Sequence, residues 1–458
     1  MKKRMLNTTM IATILALAWP TMLEQLMQTA VQYIDTAMVG ALGTQATAAV
    51  GATTTVNWMI GSTISALGVG FLSFIAQAYG AEDRQAASRA VRQAVLVTLI
   101  AGTVFTVLTL GLSPWVPVWM QVDGSIRDLA ARYFFILYLP MLPRTATIIF
   151  GTALRAAGDT RTPMKVGVTV NVINVVMNYL LIFPSREISV LGVSLWMPGA
   201  GLGVVGAAIA SAAAFAYGGI RITVALWRHP LLSPRGGSFR PDMEILRPCL
   251  KTALPNMLQR FGTSLGYVAF ASMINSLGEV ATAAHTVANT VESAFYIPGY
   301  GMQTAAATLA GNAYGAGDKK RMNELARMFI PLEVVLMIIS GTALFLLAPP
   351  LVGIFSDNPQ VIGLGTRVLR MVALSEPFYG CSIIVEGMML GVGNTKQPFV
   401  FNILGMWGVR ILGTFLCTQI MDLGLVAAWG CMIAHNMLLF FLFLYCYITK
   451  KWNPLEKR

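Results

Sequence analysis

Apolar runs separated by short basic or glycine-rich breaks follow one another along the whole chain. A helix needs about 20 apolar residues to cross the hydrocarbon core of a bilayer. In the first half, the runs 10–39, 49–77, 94–112, 133–154, 163–183 and 203–227 predict six spans. The runs 246–276, 281–312, 327–348, 362–390, 398–420 and 423–449 predict six more. The first run follows Lys2, Lys3 and Arg4 but continues past Pro20 with no small-residue cleavage site, so it reads as a retained span. Residues 115–128 read as an amphipathic outer loop whose counterpart runs through 355–359. Pro20, Pro255 and Pro298 interrupt spans and predict kinks.

Displaced by 235 positions, the chain matches itself without a gap. Pro20 falls on Pro255, Leu42-Gly43 on Leu277-Gly278, and Asp83 on Asp318. Gly158, Thr160 and Pro163 fall on Gly393, Thr395 and Pro398. Ungapped Gly, Pro and Asp matches in several loops mark a duplication. Two six-span repeats lie parallel, because an even number of crossings returns the chain to the same side. The expected units are an N-terminal lobe, 1–227, a cytoplasmic linker, 228–243, rich in Pro, Gly and Arg, and a C-terminal lobe, 244–458.

Composition agrees with a lipid solvent: 56% of residues are hydrophobic and 11% charged, against about 25% charged in soluble domains. The net charge of +12 is distributed as a topology signal. With the N-terminus inside, the loops on that side hold 23 of the 32 Lys and Arg, and the opposite loops hold 5. This bias places both termini in the cytoplasm of a bacterial inner membrane and removes nucleic acid as a partner. The five cysteines show no disulfide or metal spacing. No G-x-x-x-x-G-K-[ST] loop occurs, so an ion gradient has to supply the energy for any transport.

Tyr33-Ile-Asp35-Thr-Ala-Met-Val-Gly40 ends the first span, and Gln77-Ala-Tyr-Gly-Ala81 and Asn312-Ala-Tyr-Gly-Ala316 end the second and eighth. Leu154-Arg-Ala-Ala-Gly-Asp-Thr-Arg-Thr-Pro163 and Leu390-Gly-Val-Gly-Asn-Thr-Lys-Gln-Pro398 precede the fifth and eleventh. Over essentially the whole chain, this set resembles the multidrug and toxic compound extrusion (MATE) family. The resemblance implies an all-α membrane protein of twelve helices in two homologous six-helix lobes, the V-shaped MATE-type fold. It implies alternating access and antiport of small organic cations against protons or sodium, with no cofactor. A monomer suffices, and the lipid bilayer is its other partner.

A carboxylate inside a span costs about 2.5–3.5 kcal/mol on insertion scales, so each one calls for a role. Asp35 lies five residues before Gly40, roughly 7 Å below the outer edge. Asn171, Asn174 and Asn178 form a stripe at helical spacing, with Asn178 at similar depth. One carboxylate and two amides at one level suit a hard cation or a shared proton; the competing reading is that Asp35 snorkels outward and the asparagines only join helices. In the family, this Asp and this stripe form the cation site of the N-lobe. Some relatives carry a second carboxylate in the stripe; its absence here favours a proton (H+) over sodium (Na+). Tyr138 is a candidate partner for Asp35, or a packing residue.

The repeat mates of Asp35, Asn174 and Asn178 are Phe270, Val409 and Gly413, so this site belongs to one lobe. Relatives that bind sodium in the other lobe use acids at places taken here by Thr263 and Tyr379, a pattern nearer the DinF-like bacterial branch. Glu292 lies near the midplane and Glu376 at comparable depth. Either can hold a cationic substrate or a second ion, while Glu292 can instead pair with Arg260 or Arg410. Asn57, the repeat mate of Glu292, and Met59 complete the expected substrate contacts. Glu24 and Gln259 read as structural, and Arg144 as neutralising a neighbour in its lobe. His285 and His435 read as packing or hydrogen-bonding residues.

Exchanging one monovalent cation for one monovalent ion cancels the electrical term, so strong accumulation needs a second ion. The rival function is a flippase or exporter of a lipid-linked or other amphipathic metabolite, which would line its cavity with Arg and Lys. A membrane enzyme of the acyltransferase kind would need an H-x-x-x-x-D pattern, which is missing.

Overall fold

The computed structural model describes residues 2–120, 122–190 and 193–456. The charges counted for topology at Lys457 and Arg458 lie outside the described residues. The first half comprises α1 (Lys2–Gly40), α2 (Thr44–Gly80), α3 (Arg84–Leu112), a short α4 (Val116–Trp119), α5 (Arg127–Tyr138), α6 (Met141–Ala156) and α7 (Arg161–Ile182). An antiparallel hairpin of β1 (Pro184–Val190) and β2 (Val193–Ala200) then leads into α8 (Gly203–Arg228). The second half comprises α9 (Met243–Asn275), α10 (Glu279–Gly315), α11 (Lys319–Phe355), α12 (Pro359–Ala373) and α13 (Glu376–Gly391). Its eleventh span runs from α14 (Lys396–Ile403) through a π-helical stretch, Leu404–Ile411, α15 (Leu412–Phe415) and a second π-helical stretch, Leu416–Ile420. The last span is α16 (Leu425–Ile448).

The repeated turn residues recur for local reasons. Asp83 and Asp318 are N-caps whose carboxylates accept from Ala86 N and Arg321 N, each at 2.9 Å. Gly43 and Gly278 precede α2 and α10 at φ 111° and 106°, a conformation that side chains resist.

Two expected spans are broken. α5 and α6 meet at 50° across Pro140, and α12 and α13 meet at 53° just before Pro377. By contrast, Pro20, Pro255 and Pro298 lie inside continuous helices. Eight described helices are long and apolar enough to cross a membrane, and the two bent pairs bring the number to ten. α9 and α10, with 33 and 37 residues, complete twelve; their buried faces carry Gln259 and Glu292.

The lobes exchange their first helices. Ile14 and Ala18 of α1 pack in the C-lobe core with Leu309, Phe329 and Met388. Cys249 and Ala253 of α9 pack in the N-lobe core with Phe71, Phe134 and Tyr138. Beyond Pro20, α1 returns to its own lobe, where Glu24 meets Arg155 of α6. Beyond Pro255, α9 does the same, and Gln259 meets Glu386 of α13. Each proline therefore sits where its helix changes lobe.

At the end bearing the basic loops, α2 and α10 cross with almost no space between them. A Cβ on Gly80 would strike the Asn312 backbone, and one on Gly315 the Gln77 backbone. Ser73 Oγ and Gln77 Nε2 donate to Gly391 O at 3.1 and 3.2 Å, and Thr308 Oγ1 donates to Arg155 O at 3.3 Å. Toward the other end, Tyr33 Oη bridges the lobes by donating to Thr290 O at 2.7 Å.

The linker is docked on α3. Arg89 pairs with Asp242 at 2.6 Å and with Glu244 at 2.9 Å. The hydrogen bonds from Arg89 hold the Asp242 carboxyl below the usual carboxylate range.

Candidate functional site

α1 and α7 bring Asp35, Asn174 and Asn178 together. Asn178 Nδ2 donates to Asp35 Oδ1 at 2.5 Å. Asn178 and Asn174 are buried while Asp35 is half-buried. The Asn174 amide nitrogen faces Asp35 and donates to Oδ1 at 2.7 Å, and its oxygen accepts from Ser211 Oγ of α8 at 3.0 Å. Two amides therefore hold the Asp35 carboxylate. Asn178 Oδ1 is buried without a partner, and among the described residues no base forms an ion pair with Asp35.

A second polar group lies beside the first. Tyr138 Oη and Arg144 Nη1 both donate to Asn57 Oδ1 at 2.8 Å. The Arg144 guanidinium lies 4.7 Å from the Phe215 ring centroid and 5.8 Å from that of Tyr138.

In the C-lobe, α10, α11 and α13 carry Glu292, Glu333 and Glu376, all buried. Neither Glu333 oxygen has a partner, nor does Glu376 Oε2. Arg410, in the first π-helical stretch, is buried against Phe270 and Tyr267, 4.3 and 4.9 Å from their ring centroids. Among the described residues no ion pair joins Glu292 to Arg260 or Arg410. Farther toward the closed end, Gln259 Nε2 and Asn402 Nδ2 donate to Glu386 Oε1 at 2.8 and 3.1 Å, and Gln303 Nε2 lies 3.5 Å from Oε2.

The MatE family model matches the chain twice, over residues 20–180 and 255–416, more than half of its length. The chain belongs to the MatE family. The two matches begin at Pro20 and Pro255, the residues that open the internal repeat. This MatE chain is 27% identical to the Thermotoga maritima "Probable multidrug resistance protein NorM" over 97% of its own length and 93% of that protein's. It is 24% identical to the Bacillus subtilis "Probable multidrug resistance protein YoeA", over 90% and 87% of the two chains. Its fold matches that of a multidrug resistance MATE family transporter of the MOP superfamily, solved in an outward-facing conformation. The TM-score is 0.89 at 23% identity, covering 98% and 97% of the two chains. The protein is therefore a multi-pass membrane transporter with the twelve-helix, two-lobed MATE fold, and not an enzyme.

Within the MatE fold, Asp35, Asn174 and Asn178 come together, but Tyr138 does not join them. Its hydroxyl goes to Asn57, because the bend at Pro140 sets α5 against α2. The Asn57 oxygen is thereby occupied, which leaves only its amide nitrogen to meet a substrate. Met59 is half-buried on α2 but lies two residues from Asn57, on nearly the opposite face of the helix, so the two expected contacts do not share one face. Among the described residues, Arg144 forms no ion pair; it is held by an amide oxygen and aromatic faces. Glu24 is held in an ion pair with Arg155 at 2.6 Å. His285 accepts from Trp429 Nε1 at 3.2 Å, and His435 is buried against Gly405.

Sequence reasoning missed Glu333 and Glu386. Each is a lone acid within an apolar run, so a scan of every span for charge would have found both.

The Glu24–Arg155 pair carries a prediction. Arg155→Leu leaves the half-buried Glu24 without its partner, at an expected cost of about 1–3 kcal/mol. Thermal unfolding of the solubilised protein should show a marked fall in Tm, with most of it restored by adding Glu24→Gln.

Proposed function

We propose that the protein is an antiporter of the bacterial inner membrane that exports small organic cations in exchange for protons. The basic end, with both termini, lies in the cytoplasm, as the distribution of Lys and Arg supports. The observation that carries the reading is the Asp35 site: a lone carboxylate within a span, held by amides and by no fixed cation. Amide donors hold the ionised acid without cancelling its charge, which suits a proton that arrives and leaves. Sodium is the alternative occupant, with the Asp35 oxygens and the free Asn178 oxygen as ligands.

The closed cytoplasmic end corresponds to the state that loads a proton from outside. Protonation of Asp35 removes the carboxylate that the Asn174 and Asn178 amides hold, and so changes how α1 is held against α7. Because the first half of α1 is packed in the C-lobe, a change in α1 reaches both lobes. Glu292 and Glu376, on the C-lobe side, provide negative charge for a cationic substrate, with Asn57 and Met59 on the facing lobe. Arg144 and Arg410 are both held against aromatic faces, which argues against a cavity built for anionic lipid headgroups. The pattern of the two lobes fits the DinF-like branch, and a monomer contains the whole site.

The test is ethidium transport in oriented proteoliposomes under an imposed pH gradient alone and then a sodium gradient alone. Movement driven by the pH gradient is the expected result. Movement driven only by sodium would transfer the site to sodium, and no movement under either gradient would overturn cation export.

A further inference from the structure

The two lobes treat their equivalent deep carboxylates differently. In the N-lobe, Glu24 of α1 is neutralised by Arg155 of α6. In the C-lobe the acid has moved to the other helix: Gln259 stands at the position of Glu24, Glu386 at that of Gly151, and Leu390 at that of Arg155. The fixed counter-charge has therefore been lost. Amides surround Glu386 from α9, α10 and α14, and among the described residues no ion pair reaches it. Amide dipoles orient a carboxylate but leave its net charge in the membrane interior. Gln259 is buried, 5% exposed, and its Oε1 has no partner. Oε1 of Glu386 accepts from two amides, whereas Oε2 has only the 3.5 Å contact with Gln303.

Glu386 also lies just above the closed cytoplasmic end. One turn farther along α13, the Gly391 carbonyl accepts from Ser73 and Gln77 of the opposite lobe. α13 thus carries both the uncompensated acid and the acceptor that closes the gate.

We infer that Glu386, with Gln259, Gln303 and Asn402, is a second proton site, filled while the cytoplasmic gate is closed and emptied when it opens. This rests on the antiporter reading and adds the second ion that strong accumulation requires. The Glu386 O–H bond forms with a proton from water on the outer side. It breaks when the open gate admits cytoplasmic water, which takes the proton. The groups on neighbouring elements are few. Arg260 of α9 and Tyr300 of α10 interact electrostatically with Glu386 without forming an ion pair or hydrogen bond to it among the described residues. α11 brings Glu333, α13 itself Glu376 and Tyr379, α16 His435, α14 Lys396 at its first turn, and α2 only Tyr79 at its end.

The experiment measures the gate directly, without drug or gradient. Spin labels on Arg161→Cys and Lys320→Cys, exposed on the two lobes, report the cytoplasmic separation in nanodiscs of a variant lacking the five native cysteines. One linked proton changes the open-to-closed ratio by up to about tenfold per pH unit. Raising pH from 5.5 to 8.5 should increase the open population at least about threefold in the parent. Glu386→Gln should remain closed across the range, and Glu386→Asp should restore the response. A Glu386→Gln protein that opens like the parent overturns the site, as does a parent that ignores pH. Closure by sodium at fixed pH in the parent but not in Glu386→Gln overturns the proton as occupant. Asp35→Asn separates the two ideas: a gate that still responds to pH in this variant supports Glu386 whether or not the variant still couples transport.

Discussion

Asp35→Asn is expected to fold normally and to lose gradient-driven efflux. The amide has nearly the shape of the acid and still hydrogen-bonds to Asn174 and Asn178, so packing between α1 and α7 survives. The side chain can no longer gain and lose a charge. In exchange for a monovalent cation, the proton supplies its chemical gradient, about 1.4 kcal/mol or tenfold in the attainable gradient per pH unit across the membrane. The assay is dye accumulation in oriented proteoliposomes, with downhill dye exchange measured in parallel. The expected pattern is loss of accumulation with exchange retained. Normal accumulation would remove Asp35 from coupling and leave the C-lobe acids to carry it. Asn178→Ala should give a milder loss, since the carboxylate remains and Asn174 can still donate to it.

Gly80→Val should prevent closure at the cytoplasmic end. The new Cβ would meet the Asn312 backbone, and backbone cannot swing aside as a long side chain can. Overpacking of this kind costs about 1–3 kcal/mol in the closed state, a roughly 5- to 150-fold shift toward the open one. Gly315→Val should act alike, because its Cβ would meet Gln77 in the symmetric crossing. Labelling of cysteines placed near Ser73 by a membrane-impermeant reagent on the cytoplasmic side would report the change. Unaltered labelling in both variants would show that this crossing does not seal the protein.

Some of this was legible without coordinates. The bilayer imposes a minimum apolar length, so the spans appear as runs in the chain. Helix starts and tight turns demand particular residues, so Asp83, Asp318, Gly43 and Gly278 repeat at one offset. Asp35 and the asparagine stripe stand out because polar groups are costly in lipid wherever they point. The bends at Pro140 and Pro377 were less visible, since other prolines, among them Pro20, Pro255 and Pro298, lie in helices that continue through them.

The sequence by itself determined the membrane class, the duplication, the lone acid of the first span and the MATE resemblance, because these follow from local composition and spacing. Only the tertiary structure decided which polar groups meet. Tyr138 reaches Asn57 across 81 positions, Gln259 reaches Glu386 across 127, and Tyr33 reaches Thr290 across 257. The exchange of helix ends at Pro20 and Pro255, and the amides that surround Glu386, likewise depend on how whole helices pack. A buried charge is defined by its neighbours, and in this fold the neighbours come from distant spans.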